Sequence, residues 1–134
     1  MSPGPGVPSS GPFSVQARAR SFRFALRGIG AVLRTQHNAR IHALATAAVV
    51  VAGLLLDVSR LEWALLALVT VAVWTTEILN TALEALGDAA APGHHPRVAF
   101  AKDAAAGAVL VAALGAVVVG ALVFGPRLAA LWRP

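Results

Sequence analysis

The chain contains no cysteine among its 134 residues, which excludes disulfide bonds, thiolate metal sites and a cysteine nucleophile. Charge is also scarce. Asp, Glu, Lys and Arg together make up 13% of the residues, whereas hydrophobic residues make up 57%, and the mean hydropathy is +0.73. This composition is too apolar for an ordinary soluble domain. It predicts a small membrane protein.

The first 17 residues, MSPGPGVPSSGPFSVQA, lack the basic and apolar regions of a signal peptide. Their Pro, Gly and Ser content predicts a disordered tail. In the next segment, at about residues 20–36, apolar residues recur at helical spacing while arginines occupy the other azimuths. The apolar positions are Phe22, Leu26, Ile29 and Leu33. This pattern predicts an amphipathic helix that lies in the membrane surface.

Three apolar segments follow, at about residues 40–57, 62–86 and 102–124, and each is near the roughly twenty helical residues that a bilayer requires. We therefore expect an all-α membrane domain at residues 18–126, in which the surface helix precedes three transmembrane helices, and a C-terminal tail at 127–134. Small residues recur at every fourth position of the third span, which favours close helix packing. They are Ala104, Ala108, Ala112, Ala116 and Gly120.

The basic residues are unevenly distributed around these spans. Of the eleven Lys and Arg residues, eight precede the first span or lie between the second and third: Arg18, Arg20, Arg23, Arg27, Arg34, Arg40, Arg97 and Lys102. The positive-inside rule therefore assigns these two regions to the cytoplasm. The net charge of +5 comes from basic residues that lie beside apolar segments, which favours contact with anionic lipid. We therefore expect no nucleic-acid partner.

The second span continues into a polar segment, EILNTALEALGD, whose carboxylates need an explanation. At about 100° per residue, Glu77, Asn80, Glu84 and Asp88 fall within one narrow stripe of the helix. No basic residue lies one turn away within TTEILNTALE to form a surface ion pair. Charged side chains near bilayer depth cost roughly 2.5–3.5 kcal/mol each, so we interpret the stripe as functional.

Lys102 and Asp103 stand at the start of the third span, on the same predicted membrane surface. Carboxylates one turn apart suit Mg²⁺, which commonly binds one or two carboxylates together with substrate phosphates. A lysine supplies a point charge for such phosphates. The sequence lacks the P-loop motif, so side chains and metal must hold any nucleotide. The alternative is that Asp88 is a solvated helix end and that Asp103 interacts with the helix dipole.

Other polar residues give weaker signals. His94 and His95 have no third ligand at a spacing that suits zinc. Arg40 and His42 lie at the mouth of the first span, where contact with a headgroup or phosphate and simple snorkelling are equally plausible. Trp74 is expected to be a membrane anchor or a packing residue.

These motifs resemble those of the prokaryotic integral-membrane diacylglycerol kinase and undecaprenol kinase family. The resemblance covers about residues 21–124 and is carried, in order, by SFRFALRGI, NARIH, EW, EILNTALEALGD, HHP and AKDAAAGAVL. It implies a homotrimer in a bacterial cell membrane, with active sites between subunits at the cytoplasmic face. It also implies transfer of the γ-phosphoryl group of ATP to a lipid hydroxyl, with Mg²⁺ as cofactor.

The resemblance also implies roles for individual residues. Glu77 is similar to the family's catalytic base, Asn80 to the residue that positions the substrate, and Glu84 to a metal ligand. The positions similar to those that bind and orient ATP are Asp88, Lys102 and Asp103. We expect Arg40 to contact the substrate. Gln36 stands where many family members have a second metal-binding glutamate, and its neutral amide oxygen would bind Mg²⁺ more weakly.

Two questions remain open from the sequence. The acceptor is either diacylglycerol or undecaprenol, and NARIH and HHP look more like the undecaprenol-using branch. The alternative function is a small helical transporter in which Glu77 and Asp103 act as proton-relay groups within the membrane. The clustering of acids with Lys102 at one membrane face and the absence of internal repeats favour the kinase.

Overall fold

The computed structural model describes residues 14–132, and this part of the chain folds into four helices with no strand. They are α1 (Val15–Thr35), α2 (His37–Leu55), α3 (Arg60–Ala90) and α4 (Pro96–Leu131). The prediction of an all-α protein is confirmed. By length and composition, α2, α3 and α4 can each cross a membrane, which confirms the three predicted apolar spans.

Several helix ends differ from the predicted bounds. Helix α1 begins at Val15, so residues 15–17 of the predicted disordered tail are helical, whereas residues 1–13 lie outside the described part. Helix α4 begins at Pro96, before the predicted residue 102, because the fixed φ of proline suits the first helical position. It passes through Pro126 and ends at Leu131, so most of the predicted C-terminal tail is helical.

A single residue, Gln36, separates α1 from α2. Its φ of −97° and ψ of 124° are extended values, so the helix breaks there. The last carbonyls of a helix lack intrahelical partners. Here the Arg40 guanidinium supplies hydrogen-bond donors for two of them, because its Nε donates to the Leu33 carbonyl at 3.2 Å and its Nη2 donates to the Arg34 carbonyl. Arg40 thus fixes the joint between the two helices.

Helix α3 starts with a capping box and an ion pair to α4. The Ser59 N–H donates to Glu62 Oε2 at 2.7 Å, and the Glu62 N–H donates to Ser59 Oγ at 3.4 Å. Both Glu62 oxygens also accept from the Arg127 guanidinium at 2.7 Å. Arg127 further donates to the Leu56 carbonyl at 3.1 Å. This bidentate pair ties the start of α3 to the end of α4.

The apolar core lies at the same end of the helix bundle. It consists of Val58, Leu66 and Val123, packed by Val49, Trp63, Val119 and Phe124. Most other large apolar side chains of the three spans point outward: Leu44, Leu68 and Leu122 are 73%, 66% and 72% exposed. Exposed apolar surface of this extent indicates faces that meet lipid or other protein chains.

Trp63 packs directly on the backbone of Gly53. A Cβ at Gly53 would lie 2.5 Å from Trp63 Cη2 and 2.6 Å from Cζ2. We expect Gly53→Ala to destabilise the protein by about 1–3 kcal/mol relative to Gly115→Ala, because overpacking has roughly this cost. Thermal unfolding in detergent measures the difference. The Gly115→Ala variant gains the same helix propensity, and its new Cβ meets no other part of the chain within 4 Å. Equal midpoints for the two variants would contradict the predicted clash.

Candidate active site

A cavity of about 310 Å³ lies between α2, α3 and α4. Its polar residues are Asn38 and His42 from α2 and Glu77, Asn80 and Glu84 from α3, whereas α4 contributes an apolar wall that includes Val109 and Leu110. The cavity therefore combines a polar side with an apolar side. Glu77 is about 22 Å along α3 from Glu62, at 1.5 Å per residue, so the cavity and the Glu62–Arg127 pair lie towards opposite ends of the helix bundle.

Glu77 is the most deeply buried acid of the described chain, with 2% of its surface exposed. Its Oε2 is buried and has no hydrogen-bond partner. The nearby basic group is the His42 imidazole, whose Nε2 lies 3.7 Å from that oxygen. An acid buried in this way needs a functional explanation, because an unpaired carboxylate is costly to remove from water.

Asn80 and Glu84 form a polar pair one turn further along α3. Asn80 Nδ2 donates to Glu84 Oε1 at 3.2 Å, and Asn80 Oδ1 is buried without a donor. The cavity thus contains two buried acceptor oxygens that have no hydrogen-bond partner, one on Asn80 and one on Glu77. Buried polar atoms are rarely left unsatisfied in proteins, so these oxygens are available to accept hydrogen bonds from a ligand or from water.

Asp88 and Lys102 form an ion pair between α3 and α4, beyond the cavity. Asp88 is four residues past Glu84, or about 6 Å further along the helix axis. The Lys102 side chain lies directly over Gly87, where a Cβ would be 2.9 Å from Lys102 Cε. Asp103 is exposed and does not line the cavity. The residues predicted to bind ATP therefore lie outside the cavity.

Gln36 and Arg40 do not line the cavity either. Gln36 forms the break between α1 and α2, and the Arg40 guanidinium is bound to carbonyls of α1. Between residues 14 and 132, no group of three or more His, Cys, Asp or Glu side chains is arranged to hold a metal ion. A metal in this part of the chain would therefore need amide, water or substrate oxygens as additional ligands.

Residues 23–124 match the family described as prokaryotic diacylglycerol kinase. The chain belongs to this family. It is 42% identical over 109 residues to an undecaprenol kinase of Bacillus subtilis, an alignment that covers 81% of the chain and 89% of that relative. It is 43% identical over 112 residues to a diacylglycerol kinase of Synechocystis sp., covering 83% of the chain and 64% of that longer protein.

Membership of the prokaryotic diacylglycerol kinase family confirms the predicted resemblance and the predicted enzyme class, a lipid kinase. The family and the three apolar helices together indicate a multi-pass membrane protein. The matched segment also includes every residue that lines the cavity. The cavity is thus part of the segment that this chain shares with known lipid kinases.

The sequence did not single out Asn38 and left His42 open between headgroup or phosphate contact and snorkelling, whereas both residues line the cavity. Asn38 and His42 are four residues apart, so they share one helix face, and this spacing was the available signal. A chain of hydrogen bonds fixes that face against α3. Trp74 Nε1 donates to Thr46 Oγ1 at 3.1 Å, and Thr46 Oγ1 donates to the His42 carbonyl at 2.7 Å. Trp74 is thus a packing residue with a polar partner.

Proposed function

We propose that this protein transfers the γ-phosphoryl group of ATP to the hydroxyl group of a membrane lipid. The observation that carries the proposal is the buried Glu77 carboxylate, which shares a cavity with the apolar wall of α4, in a member of a lipid kinase family. An amphiphile has the matching chemistry, since its hydroxyl suits the polar side and its hydrocarbon suits the apolar side. Family membership favours this function over the transporter alternative.

In the proposed reaction, Glu77 is the general base. It accepts the proton of the lipid hydroxyl while that oxygen bonds to the γ-phosphorus, and the bond from the γ-phosphorus to the ADP oxygen breaks. Phosphoryl transfer depends mainly on positioning and on neutralising charge, so the protein needs only one group to accept the proton. Asn80, one turn from Glu77, positions the substrate beside that carboxylate.

The oxygen atoms of Glu84 and Asn80 fit a hard cation. The buried Asn80 Oδ1 lacks a donor, and Glu84 uses Oε1 to accept from Asn80. Mg²⁺ prefers oxygen ligands of this kind and completes its shell with phosphates and water. We propose that Glu84, with Asn80 Oδ1 beside it, would hold Mg²⁺, and that the bound metal would neutralise charge on the phosphates of ATP. Gln36 is proposed as a weaker additional ligand.

The ATP phosphates are proposed to lie beyond Glu84, near Lys102. In the free chain Lys102 binds Asp88, and a phosphate group competes for the same ammonium. Asp88 and Asp103 orient the nucleotide, and Arg40 contacts the lipid substrate. The proposed order along α3 is therefore the hydroxyl at Glu77, the metal at Glu84 and the nucleotide at Asp88.

We also propose the membrane arrangement of the enzyme. Helix α1 lies on the cytoplasmic surface, since its apolar residues Phe22, Leu26 and Ile29 are 71%, 68% and 40% exposed and its arginines suit anionic lipid. The active site then faces the cytoplasm of a bacterial cell. The outward apolar faces of α2, α3 and α4 support assembly into a homotrimer as well as contact with lipid.

A phosphorylation assay tests the proposed function. Purified protein is incubated with Mg²⁺ and ATP labelled at the γ-phosphate, with undecaprenol and diacylglycerol in parallel detergent samples. We expect label in lipid product, with faster transfer to undecaprenol, because NARIH and HHP look more like that branch. A sample without Mg²⁺ is the control. Unlabelled lipid in both samples, from protein that remains oligomeric, would contradict the proposal.

A further inference from the structure

The contact between His42 and Glu77 joins two buried atoms that both lack a hydrogen-bond partner, His42 Nε2 and Glu77 Oε2. They are 3.7 Å apart, about 0.5 Å beyond the usual upper limit for an N–H···O hydrogen bond. A bridging water needs more room than this between its two partners. A small rotation of either side chain therefore forms a direct hydrogen bond.

The position of His42 is set by the structure around it. Thr46 donates to the His42 carbonyl, and Trp74, three residues before Glu77 on α3, donates to Thr46. This chain of hydrogen bonds fixes the position of α2 along the axis of α3, which brings the His42 imidazole opposite the Glu77 carboxylate. The His42 side chain is itself largely buried, at 16% exposure.

The other residues that line the cavity leave His42 as the one basic group facing Glu77. Helix α3 contributes Asn80 and the acidic Glu84, and α4 contributes only apolar residues such as Val109 and Leu110. Asn38 and Asn80 also carry amide donors, but Asn80 Nδ2 donates to Glu84, whereas His42 Nε2 lies 3.7 Å from Glu77 Oε2. A donor held at Oε2 leaves the other carboxylate oxygen to face a substrate.

We propose that His42 is a positioning residue for Glu77. When the site is filled, His42 Nε2–H donates to Glu77 Oε2, which directs Oε1 towards the lipid hydroxyl. The imidazole also supplies the hydrogen bond that a buried carboxylate needs. This inference rests on the proposed function, because it assigns Glu77 as the base. It adds a residue of α2 to a proton-transfer step otherwise assigned to α3.

Two substitutions of His42 separate positioning from packing. His42→Leu removes the N–H donor, so we expect kcat to fall by about 10- to 100-fold, as for other groups that orient a catalytic residue. KM for ATP should stay within about twofold, because Asp88 lies about three turns along α3 from Glu77, the residue that His42 faces. His42→Gln places an amide N–H near the position of Nε2, and we expect it to recover most of the lost kcat. His94→Leu, in an exposed loop, is the control.

The outcomes distinguish this inference from the proposed function. A wild-type enzyme that phosphorylates neither lipid contradicts the function itself. An active wild-type enzyme with unchanged kcat in His42→Leu overturns the positioning role. Equal losses of kcat in His42→Leu and His42→Gln also overturn it. If His42→Leu does not fold, His42→Asn replaces it, since its shorter amide does not reach Oε2.

Discussion

Glu77→Gln is expected to lower the turnover of lipid phosphorylation by about a hundredfold or more, the usual contribution of a general base. Glutamine keeps the size of the side chain but does not accept the proton of the lipid hydroxyl. KM for ATP should change little, because the residues assigned to the nucleotide lie beyond Glu84. Steady-state assays at saturating lipid, with ATP varied, measure both constants.

The same variant separates catalysis from stability. Glu77 is 2% exposed and its Oε2 has no hydrogen-bond partner, so replacing the carboxylate with a neutral amide should not lower the thermal midpoint. Asp57→Asn is the matched control, because it makes the same chemical change in the α2–α3 turn. Asp57 has a φ of 49°, a conformation that asparagine also adopts. Near-normal turnover in Glu77→Gln would remove Glu77 from the role of base.

The sequence predicted which residues of α3 share a face, because helical periodicity is a local property. About 100° per residue was enough to group Glu77, Asn80 and Glu84, and the structure places all three around one cavity. Asp88 belongs to the same stripe but lies outside the cavity, in an ion pair with Lys102. Periodicity defines which residues share a helix face. It does not define which part of that face the neighbouring helices cover.

The partners of that face depend on contacts between distant parts of the chain. His42 faces Glu77 because Trp74 binds Thr46, 28 residues away in sequence. The opposite end of α3 is held by the Glu62–Arg127 pair, which spans 65 residues. A single sequence contains no direct record of such pairs. Spacing groups Asn38 and His42 on one face of α2, but it does not predict that this face meets Glu77 or that α4 supplies the apolar wall.

Helix bounds show the same division between local and distant effects. Pro96 and the Ser59 capping box are local signals, and helices begin directly at them. The end of α4 is different, because the helix continues through Pro126 into the predicted tail and ends at Leu131. Arg127, the next residue, donates to Glu62 of α3 and to the Leu56 carbonyl. These tertiary bonds hold the helix past the proline.

Glu84→Gln is expected to raise the half-saturating concentration of Mg²⁺ by roughly 10- to 100-fold. The change removes the anionic oxygen assigned to the metal and keeps the length of the side chain. Contacts to charged groups are worth about 1.5–3 kcal/mol, which corresponds to this range of affinity. The amide of the variant also still reaches Asn80, so the polar pair on α3 persists. A Mg²⁺ titration of turnover at fixed ATP and lipid measures the shift.

Comparison with Glu77→Gln makes this prediction specific to the metal. Excess Mg²⁺ should restore much of the turnover of Glu84→Gln, because saturation compensates for a weakened ligand. It should restore none in Glu77→Gln, which lacks a proton acceptor at any Mg²⁺ concentration. Asp57→Asn should titrate like the wild type. If Mg²⁺ rescues both acidic variants or neither, the base and the metal ligand are not divided between Glu77 and Glu84 as proposed, and the order of substrate groups along α3 must be revised.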